Sequence, residues 1–230
     1  MSVQSPQTSS VPAKARKRIF IVEDHPVFRR GLTHLIESDP EFGVCGHAAS
    51  FSEALDQLRR VEADAVILDV AIEGANGLEL VKHLRTEHPH LALLVLSVHD
   101  ELIYGPRALR AGANGYLMKR ESDDLLLQAV RQVLSGKVFV SPALNRELIH
   151  RVTSQGEPGK SRLEALSDRE LEVLALVGQG LSSIDIAENL HISVKTVETH
   201  RLHVKEKLGI GHASELVRFA TQWVEGQTGV

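Results

Sequence analysis

Five polar residues recur at one kind of place in the first 120 positions: each stands at the end of a short apolar run. Glu23 and Asp24 follow Ile19–Val22, Asp69 follows Ala65–Leu68, Ser97 closes Leu91–Leu96, and Lys119 follows Gly115–Met118. One strand-end Asp is usually a helix cap or a solvated turn residue. Several suitable groups in chain order, each ending a run, need a common reason. In a doubly wound parallel sheet the carboxyl ends of the strands share one rim, where ligands bind. On that rim three carboxylates, a hydroxyl and an ammonium would meet. Carboxylates that close repel one another unless a hard cation shares them. Mg²⁺ suits the set, because it takes one or two carboxylates, waters and phosphate oxygens.

The elements needed to build that rim are legible. From Ile19 to about Leu134, apolar runs alternate with stretches of helical spacing, such as Phe28, Leu32, Leu35 and Ile36, or Leu78, Val81 and Leu84. The run Ala65–Val70 has the continuous apolar character of a strand covered on both faces. Five β-then-α units predict an α/β fold with a doubly wound parallel sheet. Gly136, Pro142, Gly156, Pro158 and Gly159 then break the pattern, and Thr153–Ser161 reads as a flexible linker after a short helix over Asn145–Val152. Beyond it the periodicity is helical throughout. Ser167 and Glu170 form a capping box. Helices follow through Leu171–Val177, Ile184–Leu190, Val194–Leu208 and about Ala213–Val224, the third reached through the tight connection His191-Ile-Ser193.

Residues 19–135 resemble the receiver domain of bacterial response regulators. The resemblance rests on Glu23-Asp24-His25-Pro26, Leu68-Asp69 with Gly77 eight positions on, Leu96-Ser97, and Gly115-Tyr-Leu-Met-Lys119. It implies a flavodoxin-like (βα)5 fold in which Asp69 accepts a phosphoryl group from a phosphohistidine of a sensor histidine kinase. It further implies that Asp24 and Asp69 bind Mg²⁺ directly, that Glu23 acts through water, and that the Ala71 main-chain carbonyl completes the protein ligands. Lys119 would pair with the phosphoryl oxygens and Ser97 would hydrogen-bond them. Tyr116 would swing inward when Ser97 moves. These residue types suit phosphoryl transfer, which asks for in-line positioning and neutralised charge. Glu73 departs from the usual proline and adds a carboxylate beside the metal loop. His99 sits at a position that in this family tunes phosphoryl lifetime, although a solvated histidine reads equally well.

In the C-terminal segment, two short helices with a tight connection and a longer following helix match a helix-turn-helix. That pattern also fits a plain bundle; the composition of residues 194–208 favours the first. Val197, Val204 and Leu208 form an inward stripe, while Lys195, Glu198, Thr199 and Leu202 share another face near the N-terminal half, the part a recognition helix presents to base edges. The segment Leu166-Ser-Asp-Arg-Glu170 through Lys207-Leu-Gly209 resembles the LuxR-type four-helix DNA-binding domain. With the receiver in front, the chain resembles response regulators of the NarL/FixJ family. The resemblance implies that Lys195, Thr196, Glu198, Thr199, Arg201, Leu202 and Lys205 face double-stranded DNA. It also implies that the last helix, with Leu216, Val217 and Trp223, is where phosphorylated chains pair as homodimers; Trp223 reads as well as a core aromatic. The expected organisation is a basic tail over 1–18, the receiver over 19–135, a linker over 136–162, and the helix-turn-helix domain over 163–228.

Bulk properties bound these readings. The chain has 230 residues, a net charge of −4 and one cysteine, Cys45. No intrachain disulfide is possible, and no Cys-based zinc site is plausible. Residues 1–18 carry four Lys/Arg and no acid, residues 19–150 carry 13 Lys/Arg against 19 Asp/Glu, and residues 151–230 carry 9 against 11. Overall basicity therefore does not announce a nucleic-acid binder, and the claim rests on the local cluster. No apolar run approaches the roughly 20 residues needed to span a bilayer, and no export signal is evident. A cytoplasmic, non-enzymatic regulator is expected. A Mg²⁺-dependent phosphatase is the rival, but such hydrolases place an Asp-x-Asp pair after the first strand, and here Glu23 and Asp24 are adjacent. A DNA binder with a degenerate receiver is disfavoured by intact Asp24, Asp69, Ser97 and Lys119.

Overall fold

The computed structural model describes residues 15–72, 75–153, 161–190 and 192–228. Glu73, His191, residues 1–14 of the basic tail and residues 154–160 of the linker lie outside them. Strands β1 (Lys17–Val22), β2 (Phe42–Ala48), β3 (Ala65–Leu68), β6 (Ala92–Ser97) and β7 (Gly115–Met118) make one parallel sheet in the order β2-β1-β3-β6-β7. The pair β4 (Ala71–Ile72) and β5 (Ala75–Asn76) forms a small antiparallel hairpin after Asp69 that periodicity did not announce. Two-residue strands leave no period to read.

Successive strand residues point to opposite faces, and both faces are covered. Phe20, Val22, Val66, Leu68, Leu93, Val95 and Tyr116 pack under α2 (Phe51–Leu58), α3 (Gly77–Glu87) and α4 (Glu101–Ala111). Ile19, Ile21, Ile67, Leu94, Leu96 and Leu117 pack under α1 (Pro26–Ser38) and α5 (Asp123–Leu134). Full burial of each such side chain stabilises the fold by about 1.5–3 kcal/mol, which is why uninterrupted apolar runs become interior strands.

Helix α6 (Pro142–Thr153) is longer at its start than its apolar spacing implied, and it lies against α4, with Leu144 buried over Gly105. After the short α7 (Ser161–Glu164) come α8 (Asp168–Gly178), α9 (Ser183–Asn189), α10 (Val194–Leu208) and α11 (Ala213–Thr228). The capping box at Ser167 is present: Ser167 Oγ accepts from Glu170 N–H, and the Glu170 carboxylate accepts from Ser167 N–H at 2.7 Å. A second one, Ser182 with Asp185, opens α9. Helices α8 and α11 cross closely at Gly178, where a Cβ would sit 2.4 Å from the Ala220 carbonyl oxygen. No described helix is long and apolar enough to cross a membrane.

Candidate functional site

Main-chain pairing delivers the acidic residues to one rim. The Glu23 N–H donates to Ala48 O at 2.9 Å, Asp69 N–H to Val22 O at 3.0 Å, and Lys119 N–H to Ser97 O at 2.8 Å. Each side chain therefore emerges where its own strand stops and its neighbour's ends. Gly77 closes the loop after Asp69 by donating to Val70 O at 2.7 Å. A Cβ there would lie 2.2 Å from the Asp69 carbonyl oxygen, so only glycine lets the helix start so near.

Asp69 and Glu23 are only 3% and 2% exposed. The Lys119 ammonium donates to Asp69 Oδ2 at 2.7 Å and to Glu23 Oε2 at 2.6 Å, and rests 4.3 Å from the centre of the Phe28 ring. Asp69 Oδ1 accepts from Ala71 N–H at 3.2 Å. Burial raises the Glu23 pKa, against the pull of the Lys119 hydrogen bond. Burial alone would lower the Lys119 pKa, but the two carboxylates outweigh it and the net shift is upward. One ammonium between two buried carboxyl groups offsets part of the cost of burying them side by side.

Asp24 stands at the mouth, and its Oδ1 is shielded from solvent yet accepts no hydrogen bond of good geometry. Carboxylate oxygens of Glu23, Asp24 and Asp69 and a ring nitrogen of His25 all lie within 4.8 Å of one another. His25 Nδ1 is 2.7 Å from Asp24 Oδ1 and 3.2 Å from Glu23 Oε1. An orphaned acceptor among oxygen donors fits a hard divalent cation. Arg29 braces the turn by donating to Glu23 O at 2.6 Å.

On the other flank, Ser97 is fully buried and its Oγ accepts from His99 N–H at 3.2 Å. Tyr116 already lies inward, its ring buried and its hydroxyl donating to His99 O at 2.7 Å. His99 is not a solvated histidine: it stacks on Tyr104 with ring centres 4.5 Å apart, and burial lowers its pKa.

The structure thus brings together Glu23, Asp24, Asp69, Ser97, Tyr116 and Lys119. Five further residues contribute without a signal of their own in the sequence. His25 lies inside the Glu23-Asp24-His25-Pro26 motif, whose spacing gives it no role of its own. Phe28 belongs by spacing to the inward stripe of α1 but is half-buried and meets Lys119. Arg29 acts through backbone carbonyls, for which no spacing codes. Arg107, on α4, donates to Leu163 O at 2.8 Å, Leu166 O at 2.9 Å and Asp168 Oδ1 at 2.9 Å, while Lys82 on α3 meets Asp168 Oδ2 at 3.2 Å. These bonds tie the sheet layer to the start of α8. Beside them Tyr104 is buried with its hydroxyl unpartnered.

In the helical segment, Val197, Val204 and Leu208 are buried beneath α10, while Lys195, Glu198, Thr199 and Leu202 are exposed, Leu202 by 48%. Thr199 Oγ1 donates to Lys195 O at 2.9 Å. Arg201 is not a free cation: it donates to Ser183 Oγ at 2.5 Å and stands 3.5 Å from Glu198, whose carboxylate Ser183 also contacts. Thr196 is partly withdrawn into the helix start by Ser193, and Lys205 is half-buried. Lys207 is spent on Glu170, at 2.6 Å. On α11, Leu216 is buried within its own chain, Val217 is exposed, and Trp223 packs against the core with its indole N–H unpartnered.

Comparison with known proteins gives two family matches: response regulator receiver domain over residues 19–131, and bacterial regulatory proteins, luxR family, over residues 164–220. The oxygen regulatory proteins NreC of Staphylococcus carnosus strain TM300 and of Staphylococcus aureus strain JH9 are each 33% identical over 208 residues, covering 88% of this chain and 96% of theirs. A solved LuxR-family two-component response regulator from Aurantimonas sp. SI85-9A1 is 31% identical, covering 61% of this chain and all of that one, with a TM-score of 0.57. RcsB of Salmonella enterica serovar Typhimurium, solved bound to the promoter rprA with the phosphomimetic BeF3-, shares the fold at a TM-score of 0.64, 22% identity, and coverage of 90% of this chain and 99% of that one.

Proposed function

Because the chain belongs to the two-component response regulators that join a receiver domain to a LuxR-type DNA-binding domain and regulate transcription, we propose that Asp69 is its phosphoacceptor and that phosphorylation governs how α10 is presented to DNA. The observation that carries this reading is the buried ammonium of Lys119, seated between Asp69 and Glu23 at the strand ends. A phosphohistidine on a sensor histidine kinase is the donor. An Asp69 carboxylate oxygen attacks phosphorus, the P–N bond breaks, its electron pair leaves on the imidazole, and an aspartyl phosphate forms.

Mg²⁺ would be held by Asp24 and Asp69, with Glu23 through water and the Ala71 carbonyl, and supplies neutralisation of the equatorial oxygens. Lys119 already lies against Asp69 Oδ2 and so is placed to follow the new charge. The Ser97 hydroxyl, fully buried next to Tyr116 and His99, gains an acceptor when the phosphoryl oxygens arrive. Tyr116 is inward before that event, so the switch is a change of its partner at the His99 carbonyl and not its entry from solvent.

Lys195, Thr196, Glu198, Thr199, Arg201, Leu202 and Lys205 form the DNA face. Arg201, tied to Ser183 and Glu198, orders this face more than it neutralises phosphate. The chain acts as a receiver domain over 19–135 and a DNA-binding domain over 163–228, pairs as a dimer when phosphorylated, and works in the cytoplasm. The phosphatase reading is not favoured: Asp69 faces the Lys119 ammonium, and Glu23 and Asp24 are adjacent and not an Asp-x-Asp pair. To test the assignment, the wild type and Asp69→Asn are incubated with a small phosphodonor and Mg²⁺ and weighed intact. A phosphoryl adduct is expected on the wild type alone; an undiminished adduct on the variant overturns it.

A further inference from the structure

We propose that Ser183, on α9, is a positioning residue that fixes the Glu198 carboxylate of α10 as an oriented acceptor, and that Glu198 thereby selects cytosine, through its N4 amino group, at one position of the DNA site. The inference rests on the reading of α10 as the DNA-facing helix. The Ser183 hydroxyl bridges two residues one helical turn apart. It donates to Glu198 Oε1 and accepts from Arg201 at 2.5 Å, and Arg201 Nη1 stands 3.5 Å from the same carboxylate oxygen. Glu198 and Arg201 lie 15 and 18 positions beyond Ser183, so the bridge crosses from one helix to the next. Ile186 and Ala187 of α9 and Val197 of α10 are buried in one core cluster, which holds the two helices at this spacing.

A glutamate on a DNA-facing surface meets two obstacles. Phosphates repel its charge, and binding must freeze a side chain with many rotamers. Here both are reduced before DNA arrives, because Arg201 offsets the charge and Ser183 fixes the rotamer. Both contacts fall on Oε1. Among the described residues no hydrogen bond reaches Oε2, and the side chain is 57% exposed. An ionised carboxylate can only accept. The donors that bases show in the major groove are the amino groups of cytosine and adenine. The adenine amino group lies between two acceptors, its own N7 and the O4 of the paired thymine, and both repel a carboxylate. The cytosine amino group has an acceptor on one side only, the O6 of the paired guanine, so a fixed carboxylate favours cytosine.

The test uses the full chain, treated with a small phosphodonor and Mg²⁺, and selection of sites from a randomised duplex library. Wild type is expected to select a site with a cytosine whose replacement lowers affinity about tenfold. Glu198→Gln is expected to exchange that cytosine for adenine, because an amide pairs with adenine N6 and N7 together. Ser183→Ala is expected to lose most of the discrimination at this position and to keep the preference at all others. Ser183→Thr retains the hydroxyl and is expected to restore it. A merely structural serine would instead weaken binding to all sequences alike. If wild type selects no sequence and Lys195→Ala leaves its DNA affinity unchanged, the reading of α10 as the DNA-facing helix fails, and the proposal with it. If a site is selected but the position that answers to Glu198→Gln is absent or is not cytosine, α10 still faces DNA and the proposal is overturned. It is equally overturned if Ser183→Ala has no effect or weakens all sequences alike.

Discussion

Gly77 shows how much of the acidic site rests on a residue with no chemistry of its own. Its missing Cβ lets α3 start against the main chain of Asp69 and Val70; a methyl there would meet the Asp69 carbonyl oxygen at 2.2 Å and the Val70 Cα at 2.8 Å. Backbone cannot rotate aside as a side chain can, so the loop must move. Gly77→Ala is expected to lower stability by about 1–3 kcal/mol, the usual range for overpacking, and to slow phosphorylation at Asp69. Urea midpoints and phosphoryl incorporation measure the two effects separately; unchanged values for both would show that the loop yields freely. The same scale separates His99 from its sequence reading. Its stack on Tyr104 withdraws it from water, a contact between residues whose partnership no motif encodes.

At the scale of elements, the capping box of α8 is joined to α10. The Glu170 carboxylate accepts from Ser167 N–H and from the Lys207 ammonium, with His203 3.6 Å away. Burial would raise the Glu170 pKa, but these hydrogen bonds outweigh it and the net shift is below the ordinary 4.5. A carboxyl depressed in the folded state gives stability that is present above 4.5 and is lost as pH falls through its folded value. Acid unfolding of the helical segment should therefore steepen below about pH 4.5, and Glu170→Gln should flatten it; equal acid profiles would exclude Glu170 as the group responsible. Helix α10 itself has two kinds of exposed residue. Lys195 offers charge to phosphates, whose contribution is salt-sensitive and independent of sequence. Lys195→Ala should weaken binding to all sequences alike and lower the salt slope by about one. Thr199 and Leu202 bring no charge, so their replacement by Ala should alter site preference, at roughly 1–3 kcal/mol per lost base contact. Binding-site selection separates these outcomes, and wild-type preference in both variants would mean that this face does not read bases.

Among the described residues, the hydrogen bonds between the two halves come from Arg107 and Lys82 and go to the start of the helical segment, not to α10. Arg107 satisfies two main-chain carbonyls and the first-turn Asp168 of α8, and its guanidinium is nearly buried. Leu202 and Lys195 are exposed, so docking leaves this face of α10 open. Restraint by docking must then act on how the helical segment is oriented or paired, because α10 is not covered. The contact is continuous with the Tyr116 side of the sheet: Tyr116 bonds the His99 carbonyl, His99 stacks on Tyr104, and Tyr104 is buried beside Arg107 and Asp168. Removing the guanidinium leaves the Leu163 and Leu166 carbonyls without this donor and Asp168 with Lys82 alone, a loss of about 1.5–3 kcal/mol for a charged bond. Arg107→Ala is expected to raise promoter-DNA affinity of the unphosphorylated chain by tenfold or more and to shrink the gain on phosphorylation. Equal affinity in wild type and variant would show that this contact is no brake.

Local patterns were enough for the sheet, the helices and the membership of the acidic site. Apolar runs at Ile19, Ala65, Leu91 and Gly115 end in the residues that meet at the rim, and pairing of parallel strands leaves those ends no other place to go. The buried stripe of α10, Val197, Val204 and Leu208, was equally plain, since burial repeats with the helical turn. What periodicity could not contain is everything that depends on which surfaces meet. The hairpin after Asp69 is too short to have a period. Arg201 turned inward to Ser183, Lys207 to Glu170, and Arg107 to Asp168, and each pairing joins residues far apart in the chain or on different helices. A charged side chain has the same composition whether it faces solvent, DNA or a carboxylate. Only the packing of one element on another decides which, because its energy depends on the partner's distance and on how much water remains between them.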